Sequence, residues 1–388
     1  PATNGAVRES QRIKPAVTNP GPMQTVAAFT DSYLPTVNGV TYTVRTWAER
    51  WQARGGRMDV VYPRSDHDPE DGEHPVSSLA FPFYDGYRLG VPRIPPAVSN
   101  VDLVHVHTPF SVGVAGFRLA RRVDVPLVAS YHTPTGEYTD YLAPGPRAAR
   151  GLRLITERWE RWFFDRADLV LAPSGATREH LVGDVGVETP VSVLSNGVDV
   201  ERFRPVETAG FRERYGLAVD RPLVGYTGRH GYEKCLDELV DAAADLDVTL
   251  VFGGDGPARP DLRRQAEERG VDARFLGFLE RSELPAFYAA LDLFAFPSPV
   301  ETQGLVALEA AACGTPVVGA DSGALADTIE AGTIGYLYES GDVEDLRATI
   351  RRALAERDRL REACLDRRAA ISVEHTVDRL EEHYASLA

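Results

Sequence analysis

The sequence predicts an α/β protein built from two doubly wound domains that face each other across a central cleft. Three observations predict this. The chain has 388 residues, too many for one ordinary domain and comfortable for two. Short apolar, β-branched runs recur along it with helical stretches between them, in two series of domain length. Runs that are apolar almost throughout read as strands buried on both faces, and such strands form parallel sheets covered by helices.

Taken in order, residues 1–22 are polar and proline-punctuated, lack the apolar stretch of a signal peptide, and are expected to form a disordered leader. The first series of strands is Thr25–Phe29, Met58–Tyr62, Leu103–Val106, Leu127–Tyr131, Leu169–Leu171 and Val191–Leu194, giving a Rossmann-like domain over 23–195. Asn196-Gly197 and then Pro205 punctuate a hinge at 196–205. The second series is Leu223–Thr227, Val248–Phe252, Arg274–Leu276, Leu293–Phe296, Pro316–Val318 and Gly335–Tyr338, a second Rossmann-like domain over 206–365. In the last segment, 366–388, Val377, Leu380, Tyr384 and Leu387 share one side of a helix, which is expected to pack back toward the amino-terminal domain. Doubly wound sheets bind ligands at the carboxyl ends of their strands, so two of them face to face make a cleft. No G-x-G-x-x-G fingerprint follows the first strand, which weakens a dehydrogenase reading.

Composition narrows the function classes. Hydrophobic content of 43% suits a globular core, and no run approaches the roughly 18 apolar residues of a membrane-spanning helix. A net charge of −15 argues against nucleic acid as a partner. Three widely spaced cysteines, Cys235, Cys313 and Cys364, point to a reducing, cytoplasmic setting, and neither they nor nearby histidines suggest a metal site. The only lysines are Lys14 and Lys234, against forty arginines. An acidic, lysine-poor surface is the pattern of a high-salt cytoplasm, and in a chain that avoids lysine an ammonium at Lys234 suggests a specific use.

The strongest motif is Glu301-Thr-Gln-Gly304-Leu305-Val-Ala-Leu-Glu309, after an apolar strand and at the start of a helix. The unpaired amides and dipole of such a helix end suit a diphosphate, and Gly304 permits close approach. Glu301 and Glu309 can accept hydrogen bonds from sugar and ribose hydroxyls; either alone reads better as ordinary helix chemistry, and it is the context of the neighbouring loops that favours the site. The loop Gly228-Arg229-His-Gly-Tyr-Glu-Lys234 follows the first strand of the second series. A guanidinium and an ammonium converging on one diphosphate would neutralise charge developing on a leaving group, a task a metal ion otherwise performs. Gly253-Gly254-Asp-Gly256-Pro257 adds a tight turn at the same sheet edge.

These motifs resemble the large retaining glycosyltransferase family 4, with its two-domain GT-B fold, from Met23 to the end. The resemblance rests on the glutamate pair, the G-R-x(4)-K loop, the glycine turn and the hinge Asn196-Gly-Val-Asp199 with Phe203 and Pro205. It extends to Asn38-Gly39 after the first strand and Ser130-Tyr-His132-Thr133 ending the fourth. It implies that Arg229 and Lys234 hold the donor diphosphate with Gly39, Gly228, Gly254 and the amides of Gly304 and Leu305. It further implies Glu301 on the transferred sugar, Glu309 on the ribose and His132 near the sugar C6 hydroxyl. Cys235, where many relatives carry glycine, departs from the pattern and leaves the local turn uncertain. The family's chemistry implies no permanently bound cofactor and no dedicated general base; Asp31 and Glu137 are loose candidates.

The segments Glu301–Gly304 and Tyr131–Tyr141 resemble the diacylglycerol glucosyltransferase branch, placing Asn38, Tyr131, Glu137 and Tyr138 on the acceptor side of the amino-terminal domain. Residues 147–166 hold six arginines against three acids, with Leu152, Ile155, Trp159, Trp162 and Phe163 on one side of a helix. A basic, tryptophan-bearing amphipathic helix suits an anionic membrane. Its narrow apolar side, and Glu157 and Glu160 on the basic side, favour instead a packed helix with its aromatics in the core. The expected reaction is hexosyl transfer from a nucleotide sugar, UDP-glucose favoured, to a membrane lipid. GDP-mannose with a soluble or polyprenol-linked acceptor is the alternative, and a sugar-nucleotide epimerase or a non-catalytic binding subunit the readings from other classes.

Overall fold

The computed structural model of the chain describes residues 23–80, 88–133, 145–217 and 220–387. The amino-terminal half contains β1 (Thr25–Phe29), α1 (Gly39–Ala53), β2 (Arg57–Pro63), β3 (Glu73–Val76), β4 (Ser78–Ala80), β5 (Arg88–Gly90), β6 (Leu103–Val106) and α2 (Ser111–Val123). It continues with β7 (Leu127–Ser130), α3 (Pro146–Phe164), β8 (Leu169–Ala172), α4 (Gly175–Glu179) and β9 (Val191–Val193). Seven of these strands form one all-parallel sheet in the order β3-β2-β1-β6-β7-β8-β9. Sequence patterning finds every strand of this sheet except β3, an edge strand carrying Pro75, where the missing amide does no harm. It also misses the short antiparallel pair β4–β5.

The carboxy-terminal half runs α5 (Ala209–Tyr215), β10 (Leu223–Thr227), α6 (Leu236–Ala243), β11 (Thr249–Gly253), α7 (Arg259–Arg269), β12 (Ala273–Gly277), α8 (Leu284–Ala290) and β13 (Leu293–Phe296). It ends with α9 (Leu305–Ala312), β14 (Val317–Ala320), α10 (Gly323–Thr328), β15 (Gly335–Tyr338), α11 (Val343–Ala355), α12 (Arg357–Asp366) and α13 (Val373–Ala385). Its sheet is parallel throughout, in the order β12-β11-β10-β13-β14-β15. The strand order reverses beside β1 in one sheet and beside β10 in the other. The loops leaving β1, β6, β10 and β13 therefore border the two crevices where doubly wound sheets take ligands.

The chain crosses between halves twice, and the crossings lie side by side. Val198 donates its amide to the Ile371 carbonyl (2.9 Å) and accepts from Val373 N (2.8 Å). After α12, whose Leu360 and Cys364 belong to the carboxy-terminal core, α13 returns to the amino-terminal half and buries Val373, Val377, Leu380 and Tyr384 against α1. Each such burial contributes on the order of 1.5–3 kcal/mol, enough to hold the helix there. Arg50–Glu374 (2.7 Å) and Arg54–Asp378 (2.6 Å) fasten its rim.

Candidate active site

Two helix N-termini, one from each half, meet across the cleft. Asn38 caps α1 by accepting the Thr41 amide at Oδ1 (2.9 Å), and its Nδ2 donates to Ser32 Oγ (2.7 Å). Gly39, the first residue of α1, lies so close to α9 that a Cβ there would stand 3.3 Å from Leu305 Cδ1. Gly304 precedes α9 with φ +82°, and a side chain would collide with Leu325 Cδ2 at 2.6 Å. A β-carbon at Gly304 is thus excluded by conformation and by space. The arrangement brings two helix N-termini, with their positive dipole ends, to one place.

The charged residues gather beside it. Lys234, on the loop after β10, donates from Nζ to Glu301 Oε1 at 2.6 Å, with both side chains mostly buried. Arg229 pairs with Glu233 on the same loop. His230, unremarked in the sequence, is fully buried and ties this loop to the glycine turn after β11. Its amide donates to Asp255 O (2.8 Å), its carbonyl accepts Ala258 N (2.9 Å), and its Nε2 lies 3.1 Å from Gly253 O. Gly254 lies directly against Gly228, whose carbonyl would be 2.0 Å from any Cβ there. Gly254 therefore backs the Gly228–Lys234 loop. Glu309, buried on α9, accepts from Tyr288 Oη (2.9 Å) and lies 3.6 Å from Arg281; burial raises its pKa, with Arg281 and Tyr288 acting against the rise. The Arg281 guanidinium also stacks on the ring of Tyr42 of α1, 3.5 Å from its centroid, so a cation–π contact spans the cleft beside Glu309.

On the amino-terminal side, His132 follows β7 and reaches the same crevice. Its Nε2 lies 3.0 Å from His107 Nδ1, and its ring stacks on His107 with centroids 5.3 Å apart. His107 stacks in turn on His105 (4.1 Å), and Trp47 stands against all three rings. Burial pulls the His132 pKa down to about 4, with the Asn196 side chain opposing the shift, and it holds His105 and His107 well below the ordinary histidine value. The ring presented at the cleft is therefore a neutral imidazole at pH 7. His105, held by Tyr384 Oη and Ser130 Oγ, is a core residue, whereas His107 is the support on which His132 rests.

Several expected placements differ. Tyr131, assigned to the acceptor side, is 3% exposed and packs on Phe164 in the amino-terminal core, because alternation sends its side chain away from that of His132. Asn38 caps α1 and stays exposed at the mouth of the cleft. Asp31, a loose general-base candidate, is buried and accepts from Ser111 Oγ and Val112 N at Oδ1 (both 2.9 Å) and from Thr108 Oγ1 (2.8 Å) and Gly113 N (3.3 Å) at Oδ2. It is the N-terminal anion of α2, fully occupied there. Glu137 and Tyr138, like the 1–22 leader, lie outside the described residues. Of the apolar side of α3, only Phe163 is fully buried and Leu152 is half-buried; the adjacent Phe164 is also in the core. Ile155, Trp159 and Trp162 are 67%, 37% and 39% exposed, the two indoles stack at 4.9 Å, and the Arg166 guanidinium covers the Trp162 ring at 4.1 Å.

The comparisons agree with this geometry. The profile described as Glycosyltransferase Family 4 matches residues 37–202, and that described as Glycosyl transferases group 1 matches 208–368. The GDP-mannose-dependent alpha-mannosyltransferase of Corynebacterium glutamicum is 31% identical over 347 residues, covering 84% of this chain and 78% of the relative. This chain belongs to glycosyltransferase family 4. The alpha-monoglucosyldiacylglycerol synthase of Streptococcus pneumoniae is 28% identical over 381 residues, 92% of this chain and 85% of that one. Among solved structures, sucrose-phosphate synthase from Thermosynechococcus elongatus superposes with a TM-score of 0.74 at 24% identity, over 94% of this chain and 99% of the other, which establishes the GT-B fold. The family member described here is a hexosyltransferase that draws on a nucleotide-sugar donor, which sets aside the epimerase and non-catalytic readings. No helix among the described residues is long and apolar enough to cross a membrane.

Proposed function

We propose that this family 4 enzyme transfers glucose from UDP-glucose, with retention of configuration, to a hydroxyl of a membrane lipid at the cytoplasmic face of the membrane. The observation that carries the donor half is the Lys234–Glu301 pair at 2.6 Å beside the N-termini of α1 and α9. A glycosyl phosphate has its sugar ring and its diphosphate joined through one oxygen, so the groups serving each must be neighbours. In this reading the diphosphate lies between Gly39 and the Gly304–Leu305 amides, Arg229 and Lys234 neutralise it, Glu301 binds the sugar, Glu309 the ribose, and neutral His132 lies near the sugar C6 hydroxyl. The bond from the anomeric carbon to the β-phosphate oxygen breaks while the acceptor oxygen bonds to the same face. The acceptor's proton passes to that phosphate, so no protein base is required. With Asp31 occupied as a helix cap, the protein's task is positioning and charge stabilisation.

The lipid half rests on α3. Its exposed indoles and isoleucine, with Arg158 and Arg166 alongside, form an apolar-plus-cationic face suited to an anionic interface. The likeness to the diacylglycerol-glucosylating synthase over nearly the whole chain points the same way. A second reading, mannosyl transfer from GDP-mannose, is favoured by the mannosyltransferase of comparable similarity. The test is nucleotide release from UDP-glucose, UDP-galactose, UDP-GlcNAc and GDP-mannose, with and without vesicles of anionic phospholipid containing diacylglycerol. Release that requires both UDP-glucose and diacylglycerol is expected. Release from GDP-mannose alone would move the assignment to the second reading, and release indifferent to vesicles would remove the lipid.

A further inference from the structure

Between Glu301 and Gly304, the two residues assigned to sugar and phosphate, stand Thr302 and Gln303, whose side chains bond to the amino-terminal half and the hinge. Thr302 Oγ1 donates to the backbone carbonyl of His132 at 2.9 Å, and the Thr302 carbonyl accepts from Thr177 Oγ1 at 2.9 Å. Gln303, 4% exposed, accepts the Asn196 amide at Oε1 (3.1 Å) and donates from Nε2 to Ser195 Oγ (2.5 Å). Two consecutive residues of the carboxy-terminal half thus make four hydrogen bonds into the amino-terminal half and the hinge. The hinge is held from its other side, since Trp47, whose ring stands against His132, donates Nε1 to the Asn196 carbonyl at 2.9 Å.

We propose that Thr302 and Gln303 are positioning residues that register the donor sugar on Glu301 against His132 across the cleft. The chemical logic is one of short paths. Glu301 and His132 belong to different domains, yet a single residue and one hydrogen bond separate their backbones. A hinge rotation that opens the cleft must break these bonds, all of them buried or half-buried, where an unmade partner is expensive. The latch therefore biases the protein toward the spacing in which both domains touch one sugar. Its side chains touch no reacting atom, and Arg229, Lys234 and the Gly304–Leu305 amides, which hold most of the diphosphate in this reading, lie together in the carboxy-terminal domain, with only Gly39 reaching it from the other. Loss of the latch should spare donor binding and slow the chemical step.

The inference rests on the hexosyl-transfer reading above, and the experiment separates the two. The full-length chain is assayed as wild type, Thr302→Val (same shape, no donor hydroxyl), Thr302→Ser (hydroxyl retained) and Gln303→Met. kcat, donor KM, UDP affinity by calorimetry and melting temperature are measured for each. A displacement near 1 Å between reacting groups costs up to about 100-fold, so Thr302→Val and Gln303→Met should lose about 10- to 100-fold in kcat, with KM and UDP affinity within about twofold. Thr302→Ser should recover most of that loss. Losses in kcat below about threefold, or losses that follow UDP affinity or melting temperature and are not rescued by serine, would overturn the latch while leaving wild-type transfer intact. A wild-type enzyme that transfers no hexose would bring down the functional reading and this one with it.

Discussion

Lys234→Met removes the only lysine of the two folded domains while keeping the length of its stem. An ammonium about 4 Å from an oxyanion is worth about 4 kcal/mol at an effective dielectric near 20. In the free protein that charge already serves Glu301 at 2.6 Å, so part of its effect is spent before donor arrives. What disappears from the transition state is the share that follows charge onto the departing diphosphate. For one preorganised electrostatic donor that share is about 2.7–4 kcal/mol, or roughly 100- to 1,000-fold in kcat. Donor KM should rise as well, because the unpaired Glu301 carboxylate then faces an anionic substrate. The double variant Lys234→Met/Glu301→Gln should relieve the KM effect and leave kcat low. Steady-state nucleotide release with the preferred donor measures both constants, and an unchanged melting temperature excludes unfolding. A fall in kcat/KM of less than about fivefold would refute the assignment of Lys234 to the diphosphate.

Cys235 occupies the left-handed region at φ +48°, which glycine adopts without a Cβ penalty, so Cys235→Gly should stabilise the protein by about 1 kcal/mol in urea unfolding; destabilisation would contradict the strain argument. Asp31→Asn puts a donor amide among four donors and should lower stability by about 2–3 kcal/mol with kcat per folded molecule retained; a lost kcat in fully folded protein would restore Asp31 as a base. His132 has a folded pKa of about 4 against about 6.5 unfolded, so its stabilising contribution is complete above pH 6.5 and is lost as pH falls toward 4, roughly 2 kcal/mol of it by pH 5. Urea midpoints at pH 7 and pH 5 should therefore separate in the wild type and separate less in His132→Asn; equal separations would contradict the buried neutral imidazole. Trp159→Ser with Trp162→Ser should lower the melting temperature by a few degrees, because both indoles are partly buried and Trp159 Nε1 donates to the Pro109 carbonyl, and should weaken sedimentation of the still-folded protein with anionic vesicles several-fold, whereas unchanged sedimentation would remove α3 as the membrane face.

Both parallel sheets could be read from the chain because strands covered on two faces are apolar almost throughout, as in Leu169–Ala172 and Leu293–Phe296. Strand β3 could not, because an edge strand with Glu73, His74 and Pro75 buries too little to leave a pattern. The glutamates, Arg229, Lys234 and the glycines of the phosphate loops were visible because each is specified by its local spacing along the chain. The partners that align them were not. Thr302 with the carbonyl of His132, Tyr42 with Arg281, and Trp47 with Asn196 are pairings across more than a hundred residues, with no signature on either side. Asp31 looked like a free carboxylate because its four donors come from Thr108 and the first turn of α2, some eighty residues away. A helical wheel shows which side of α3 is apolar. Whether that side is covered depends on the neighbouring elements, and here Trp159 and Trp162 are left half in solvent.

The central claim is a retained hexosyl linkage formed on a lipid, and product analysis tests it directly. Radiolabelled UDP-glucose is incubated with the enzyme and diacylglycerol-containing vesicles, and the lipid phase is extracted and its anomeric configuration determined. The account predicts label in the lipid phase as an α-linked glucosyl lipid, matching the α-configured donor. Label confined to the aqueous phase would contradict the lipid acceptor, and a β-linked product would contradict same-face transfer.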